Sequence, residues 1–419
     1  MSTVTQIAQA AKLASKALAT TTGVERNRAL CAMAAALREH TLSILAQNAR
    51  DMDAARAAST SAALLDRLLL TEPRIEDMAQ ALEALAALDD PLGRIQDDRT
   101  LPNGLHIERM SVPLGLVAMV YEARPNVTAD AAGICIKTGN ATVLRAGSLA
   151  AHSCVEIARV LHVAAVGAGM PENCIRIIET TDRAATDELM SLHGIVDVLV
   201  PRGGAGLIRH CVETAKVPVI ETGVGNCHLY VHEAADLAMA EAIILNAKCQ
   251  RPGVCNAAES LLIDAAVAAV FLPQILTDLV AAGVVVHGDA LVQAAGAACG
   301  MPVVAATEDD WGTEYLALEI SVQVVADLDA AIAHIDAYGT GHSEVIITED
   351  AKAAERFLSA IDAAAVYVNA SSRFTDGAQF GLGAEIGIST QKLHARGPFA
   401  ADALTSYKYV IHGTGQVRG

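Results

Sequence analysis

From Gly115 onward the sequence alternates short apolar runs with helical stretches, and this alternation limits the possible folds more than any other feature. The runs GLVAMVYEA, ATVLRAG, IRIIET, VDVLVP and VPVIETG offer no polar face to water, so each reads as a strand covered on both sides. The segments between them, one over about 149–166, have helical periodicity. Such alternation predicts an α/β fold in which helices cover both faces of a parallel sheet. Five strands between 115 and 223 suffice for one nucleotide-binding domain, with its ligand beyond the carboxyl ends of the strands.

A second round follows: CHLYVH, a helix over about 234–248, ESLLID, a helix over 265–282, VVVHGD, then EYLALEISVQVV, HSEVIITE and AAVYVNA. The boundary between two α/β domains is expected near Gly225. Ahead of the first sheet strand, Pro102-Asn103-Gly104 between DDRT and LHIERMSV reads as the turn of a hairpin over 96–114. The tail TSYKYVIHG has strand composition, and an exposed terminal strand often pairs with another subunit, so a homodimer or homotetramer is expected. Residues 1–90 read as Ala-rich amphipathic helices, broken at 21–23 and near Pro73, with Thr71 as a cap. The first 24 residues hold Lys12 and Lys16 but no acid, as an organellar transit peptide does. Val4, Ile7, Ala8, Ala11, Ala14 and Leu18 recur at helical spacing, however, and the segment is read as a helix of the fold.

Composition narrows the function classes. A net charge of −18 and a pI near 5.1 argue against nucleic-acid and anionic-membrane partners. With 53% hydrophobic and 19% charged residues the chain can bury a large core. Mean hydropathy is +0.36, yet no run reaches the ~18 uninterrupted apolar residues of a membrane span. Nine cysteines without a CxxC pair fit neither a disulfide scaffold nor a Cys-rich zinc site, and a reducing cytoplasm is the expected compartment.

Two segments carry candidate chemistry. In KCQRPGVCN, Cys255 follows the breakers Pro252 and Gly253 between a long helix and a short strand, so it is expected on a loop that can present a thiol. Cys135, Cys154 and Cys211 lie in apolar helical stretches and read as small buried hydrophobes. In EARPNVT, Asn126 falls between a strand and a helix, either as a cap or with its amide directed into the crevice as an oxyanion donor. His228 and His232 lie on one strand about 13 Å apart along one face, too far to share an ion, and His342 reads as hydrogen-bonded structure. No metal is expected.

ARPNVT, TGNATVLRAG, PVIETGVGNCH, QRPGVCN, EYLALEISVQVV and YVNASSRFTDGAQFGLGAEIGISTQKLHARGP, in this order, resemble the aldehyde dehydrogenase superfamily, and within it the glutamate-5-semialdehyde dehydrogenase family. The likeness spans essentially the whole chain, with QRPGVCN and the late run as its most specific parts. It implies a cofactor-binding domain over 1–95 and 115–225, a catalytic domain over 226–395, and an oligomerisation hairpin and tail over 96–114 and 396–419. It also implies NADPH-dependent reduction of L-glutamyl 5-phosphate to L-glutamate 5-semialdehyde through a thioester on Cys255, with Asn126 and the Cys255 amide as oxyanion donors.

By the same resemblance Arg145, Ser148, Gly203, Gly204 and Glu314 bind the cofactor: Arg145 near the adenosine ribose, Glu314 on the nicotinamide ribose. Ser148 stands where NAD-preferring relatives often carry an acid. A cation at Arg145 with space at Gly147 and Ser148 suits a 2′-phosphate, so NADPH is expected; otherwise Arg145 is a solvated strand-end cation. Arg124, Arg373, His394 and Arg396 are candidates for gripping the substrate, or are surface or subunit-contact residues. Glu221 stands where hydrolytic relatives keep a base for water; in an acyl-phosphate reductase water attack would waste the substrate, so a structural or cofactor-proximal role is expected. A hydrolytic NAD(P) aldehyde dehydrogenase using Glu221, or an inactive binding protein on the same fold, are the alternatives. The labile substrate also points to coupling with a glutamate 5-kinase.

Overall fold

A computed structural model describes residues 3–418, apart from the side chains of 62, 63 and 205. The chain forms two compact units, one comprising 1–222, 381–387 and 393–419, the other 223–380 and 388–392. Segments 381–387 and 393–395, expected with the catalytic domain, thus belong to the first unit, as do the hairpin and tail.

The first unit opens with five helices, α1 (Thr3–Leu18), α2 (Gly23–Glu39), α3 (Thr41–Ala57), α4 (Ala62–Leu68) and α5 (Glu72–Ala87). Thr22 and Glu25 form a reciprocal capping box at the start of α2. Thr71 caps α5, and Pro73 lies in the first turn, where its missing N–H costs nothing; it opens this helix and breaks none. A hairpin follows, β1 (Ile95–Thr100) and β2 (His106–Pro113), then β3 (Leu116–Tyr121), α6 (Asn126–Lys137), β4 (Ala141–Ala146), α7 (Ala151–Gly167), β5 (Ile175–Ile177), α8 (Arg183–Ser191), β6 (Val198–Arg202) and α9 (Ala205–Thr214).

The sheet runs β5-β4-β3-β6 with every pair parallel. All residues of β3 and β4 are buried, which is why they read as unbroken apolar runs. VPVIETG is not a fifth strand. It contributes one bridge, Leu199 to Val219, beside β6, because Pro218 has no N–H to donate and the chain leaves soon after. The helical stretch over 148–167 is long and apolar enough to cross a bilayer, but here it covers the sheet, with Cys154, Ile157 and Leu161 buried and Glu156 paired to Arg159.

The second unit contains β7 (Cys227–Val231), α10 (Leu237–Cys249), β8 (Ala258–Asp264), α11 (Ala265–Ala281), β9 (Val285–Gly288), α12 (Ala290–Cys299), β10 (Val304–Ala305), β11 (Glu319–Val325), α13 (Leu328–Tyr338), β12 (Ser343–Ile347), α14 (Ala351–Ala360) and β13 (Ala365–Val368). Its seven parallel strands run β10-β9-β11-β8-β7-β12-β13. Phe271, Leu272, Ile275, Leu276 and Leu279 of α11 are buried in the core on one face, worth about 1.5–3 kcal/mol each. EYLALEISVQVV is strand only from Glu319: Leu316 takes a left-handed φ of 53°, which no strand accommodates, and its N–H donates to Glu259 Oε1 at 3.3 Å.

Two short strands, β14 (Gly387–Ser389) and β15 (Gly397–Phe399), precede the tail strand β16 (Thr405–His412). β16 pairs antiparallel with β2 of the same chain, from Thr405 opposite Pro113 to His412 opposite His106. The tail therefore finds its partner in its own hairpin, completing a three-stranded β1-β2-β16 sheet.

Candidate active site

In the first unit the chain runs β3, β4, β5 to one side and returns to β6 on the other side of β3, so the topological switch point lies between β3 and β6. At its carboxyl end Tyr121 gives way to Glu122, and Ala123 takes a φ of 43° that turns the chain into α6. Tyr121 Oη lies 2.7 Å from Thr128 Oγ1, tying strand to helix. Asn126 is the first residue of α6, exposed, and its Nδ2 donates to Asp130 Oδ2 at 3.1 Å. Arg124, half-buried, lies two residues before it.

Across the switch point, the Gly204 N–H donates to Glu122 Oε2 at 3.1 Å, and a Cβ on Gly203 would come within 2.6 Å of that same oxygen. The glycines thus expose the start of α9 to an anion, as helix N-termini in nucleotide-binding folds do. Ser148 is exposed and opens the 3-10 turn leading into α7.

Arg145 is not the solvated strand-end cation of the alternative reading. It is only 7% exposed, and its Nη2 donates to the Thr181 and Asp182 carbonyls at 2.8 and 3.1 Å. Burial lowers its pKa, with Glu122 opposing. The buried guanidinium braces the loop before α8, and Arg183 is the neighbouring cation. Glu122, Asp130 and Arg183 escaped the sequence reading, although Glu122 opens the EARPNVT segment and Asp130 lies two residues beyond it.

In the second unit the chemistry gathers at the amino ends of the strands. Cys255 lies in the loop between α10 and β8. That loop is clamped at its base by Lys248 and Glu259, both fully buried, Nζ to Oε2 2.6 Å, with Lys248 also donating to the Ala258 carbonyl at 2.7 Å. Burial pushes the Glu259 carboxyl up to about 7 against the pull of Lys248. Next to Cys255, Asn256 Nδ2 donates to the Thr375 carbonyl at 2.9 Å, and Ser372 Oγ donates to the Asn256 carbonyl at 2.7 Å. This brings Arg373 to the loop, where its Nε donates to Gln250 Oε1 at 3.1 Å and its charge interacts with Cys255 and Arg251.

Beneath, the Gly225 N–H donates to Glu314 Oε1 at 2.8 Å, while a Cβ on Gly225 would overlap the Cys255 carbonyl. One glycine thus joins the Cys255 loop to Glu314. Cys227 is buried, its thiol pushed well up by burial, and Sγ donates to the Cys255 carbonyl at 3.2 Å. His342 Nδ1 lies 3.6 Å from that sulfur and 2.9 Å from Ser343 Oγ.

The remaining candidates separate. His394 and Arg396 belong to the first unit and Arg373 to the second. His394 Nε2 donates to the Ala403 carbonyl at 3.1 Å. Glu221 is half-buried in the first unit, just past the Val219 bridge. His228 pairs with Glu344 at 3.0 Å and His232 with Thr348 at 2.8 Å, each with its own partner. Cys135 and Cys154 are buried and pushed up to about 12, and Cys211 to about 11, as structural thiols are. Among the described residues one group could hold an ion, Asp98 with His106 and Glu108, and it lies on the hairpin.

Comparison with known proteins bears on the family and the fold. Residues 1–295 match the model of the aldehyde dehydrogenase family. The gamma-glutamyl phosphate reductase of Moorella thermoacetica is 55% identical over 411 residues, covering 98% of this chain and 97% of the relative. That of Carboxydothermus hydrogenoformans is 52% identical over 420 residues, covering 100% of both. The crystal structure of gamma-glutamyl phosphate reductase from Thermotoga maritima superposes with a TM-score of 0.96 at 45% identity, again over 100% of both chains. An acetylating aldehyde dehydrogenase from Geobacillus thermoglucosidasius shares the fold, with a TM-score of 0.69 at 20% identity over 99% of this chain and 97% of the other.

Proposed function

The chain belongs to the aldehyde dehydrogenase family, and we propose that it reduces L-glutamyl 5-phosphate to L-glutamate 5-semialdehyde with release of phosphate, the second step of proline biosynthesis. The observation that carries the substrate assignment is 55% identity over 98% of the chain to a gamma-glutamyl phosphate reductase.

The Cys255 thiolate attacks the acyl carbon, the C–O bond to phosphate breaks, and a gamma-glutamyl thioester forms. Asn126 Nδ2 and the Cys255 amide hold the charge that develops on the acyl oxygen. The clamped loop restricts where the sulfur can go, and Arg373 with Arg251 supplies positive potential for the thiolate and the leaving phosphate. Arg124, Arg396 and His394 complete the substrate-binding set, His394 being held through Nε2 by the Ala403 carbonyl.

The residues at the first unit's strand ends fit a nicotinamide dinucleotide. At the start of α9 the Gly204 N–H already donates to an anionic oxygen, that of Glu122, and Ser148 leaves the adjacent helix start open and uncharged. Arg145 braces the loop beside it, and Glu314 takes the nicotinamide ribose. NADPH, when bound, supplies the hydride that reduces the thioester; Asn126 then steadies the thiohemiacetal oxygen until the thiol is released.

Glu221 has no part in deacylation in this reading. A Glu221→Gln variant is expected to keep its reductase activity; complete loss would assign Glu221 a step in the reaction. The assembly is a homodimer or homotetramer built through the β1-β2-β16 sheet, where Tyr407, Tyr409 and Ile411 are exposed, and a glutamate 5-kinase hands over the labile acyl phosphate.

A further inference from the structure

We propose that Asp130 is the positioning residue for Asn126, holding its amide so that one N–H is fixed and the other is presented to the substrate oxygen; this rests on the reading of Asn126 as oxyanion donor. The geometry begins with helix spacing. Asp130 stands four residues after Asn126 on α6, and helical side chains lean toward the N-terminus, so its carboxyl comes back under the amide, with Nδ2 to Oδ2 3.1 Å.

Asn126 needs such a partner. It is exposed at the first position of the helix, where the final torsion of an Asn side chain is broad and nearly two-fold. Turned by half a rotation, it would offer its carbonyl oxygen to an oxyanion and repel it. A carboxylate only accepts, so it selects the rotamer with NH2 toward itself, and that nitrogen has a second N–H to give.

The cost of this tether is charge. An ionised carboxylate one hydrogen bond from the donor opposes the negative oxygen the donor must stabilise. Asp130 is half-buried, and burial lifts its carboxyl to about 7, with Glu385 of the 381–387 segment adding to the rise and Asn126 and Arg202 at the end of β6 opposing it. When neutral, the carboxyl keeps a carbonyl oxygen to accept from Asn126 and no longer opposes the oxyanion, while its new O–H can also donate to the amide oxygen, so the rotamer is selected less strictly.

The test is steady-state kinetics on the purified full-length enzyme with Asn126→Ala, Asp130→Leu, Asp130→Asn and the double variant Asn126→Ala/Asp130→Leu, each checked by thermal melting. Asn126→Ala is expected to lower kcat about 10²–10³-fold. Asp130→Leu should lower kcat ten- to a hundredfold with the KM for NADPH unchanged, and the double variant should be no slower than Asn126→Ala alone. Asp130→Asn keeps an acceptor without the charge, so it should stay within about fivefold of wild type and lack the decline in kcat expected of wild type as pH rises through about 7. Additive losses in the double variant, or full activity in Asp130→Leu, would overturn the role of Asp130. Full activity in Asn126→Ala would instead overturn the reading of Asn126, and Asp130→Asn as slow as a folded Asp130→Leu would show that the tether needs the ionised form and contradict the proposal as stated.

Discussion

The backbone of Gly225 lies so close to the Cys255 carbonyl that no Cβ fits between them, and the same glycine donates its N–H to Glu314 at 2.8 Å. Its φ is not positive, so the requirement is for space and not for backbone freedom. A Gly225→Ala substitution must displace the Cys255 loop, Glu314, or both. Since misplacement of a reacting group by about 1 Å can cost 10²-fold, kcat/KM is expected to fall by about that factor. Kinetics at wild-type level would show that the loop position is unimportant.

Lys248 and Glu259 form the buried clamp under the same loop. Lys248→Met leaves a buried carboxyl without its cation and should lower stability to urea by about 3–5 kcal/mol. Removing both charges, Lys248→Met with Glu259→Leu, should recover most of that loss. A double variant no more stable than the single one would mean that the pair is not coupled.

His334 has a pH signature. Its ring packs edge-on to Trp311 and His228, Nε2 has no hydrogen-bond partner, and burial lowers its pKa from 6.5 to about 4. The unfolded chain takes up this proton near its ordinary pKa while the folded chain resists, so the stability contribution is full above 6.5 and is lost as pH falls toward about 4. A His334→Phe variant should therefore lose less stability than wild type between pH 7.5 and 4.5, by up to about 3 kcal/mol in urea unfolding. Equal losses would place the titration elsewhere.

Cofactor choice is tested at Ser148. An acid there would repel a 2′-phosphate, so Ser148→Glu should raise the KM for NADPH tenfold or more with little effect on NADH. An unchanged KM for NADPH would move the adenosine end of the cofactor away from α7.

Apolar periodicity was enough to read the parallel sheets, because β3, β4, β7 and β8 are buried at every residue and cannot be mistaken for amphipathic elements. It failed where a local device overrides composition: Pro218 reduces VPVIETG to one bridge, and Leu316 in the left-handed region delays β11 to Glu319. The tail strand was legible as a strand, but its partner β2 lies some 300 residues earlier and could be found only by folding the chain. At the site, Cys255 and Asn126 were visible as types on loops or element ends. The supports were not: Arg145 looks like a surface cation until the Thr181 and Asp182 carbonyls close on it, and Gly225 shows its purpose only when Cys255 lies against it.

The most direct test of the account is the reverse reaction. Glutamate 5-semialdehyde and NADP are incubated with wild type and Cys255→Ser, with and without inorganic phosphate, and NADPH absorbance is followed. Phosphate-dependent reduction of NADP that the substitution abolishes is the predicted result. Reduction by wild type that proceeds equally without phosphate would contradict it, making water the acceptor of the acyl group and restoring Glu221 as its base.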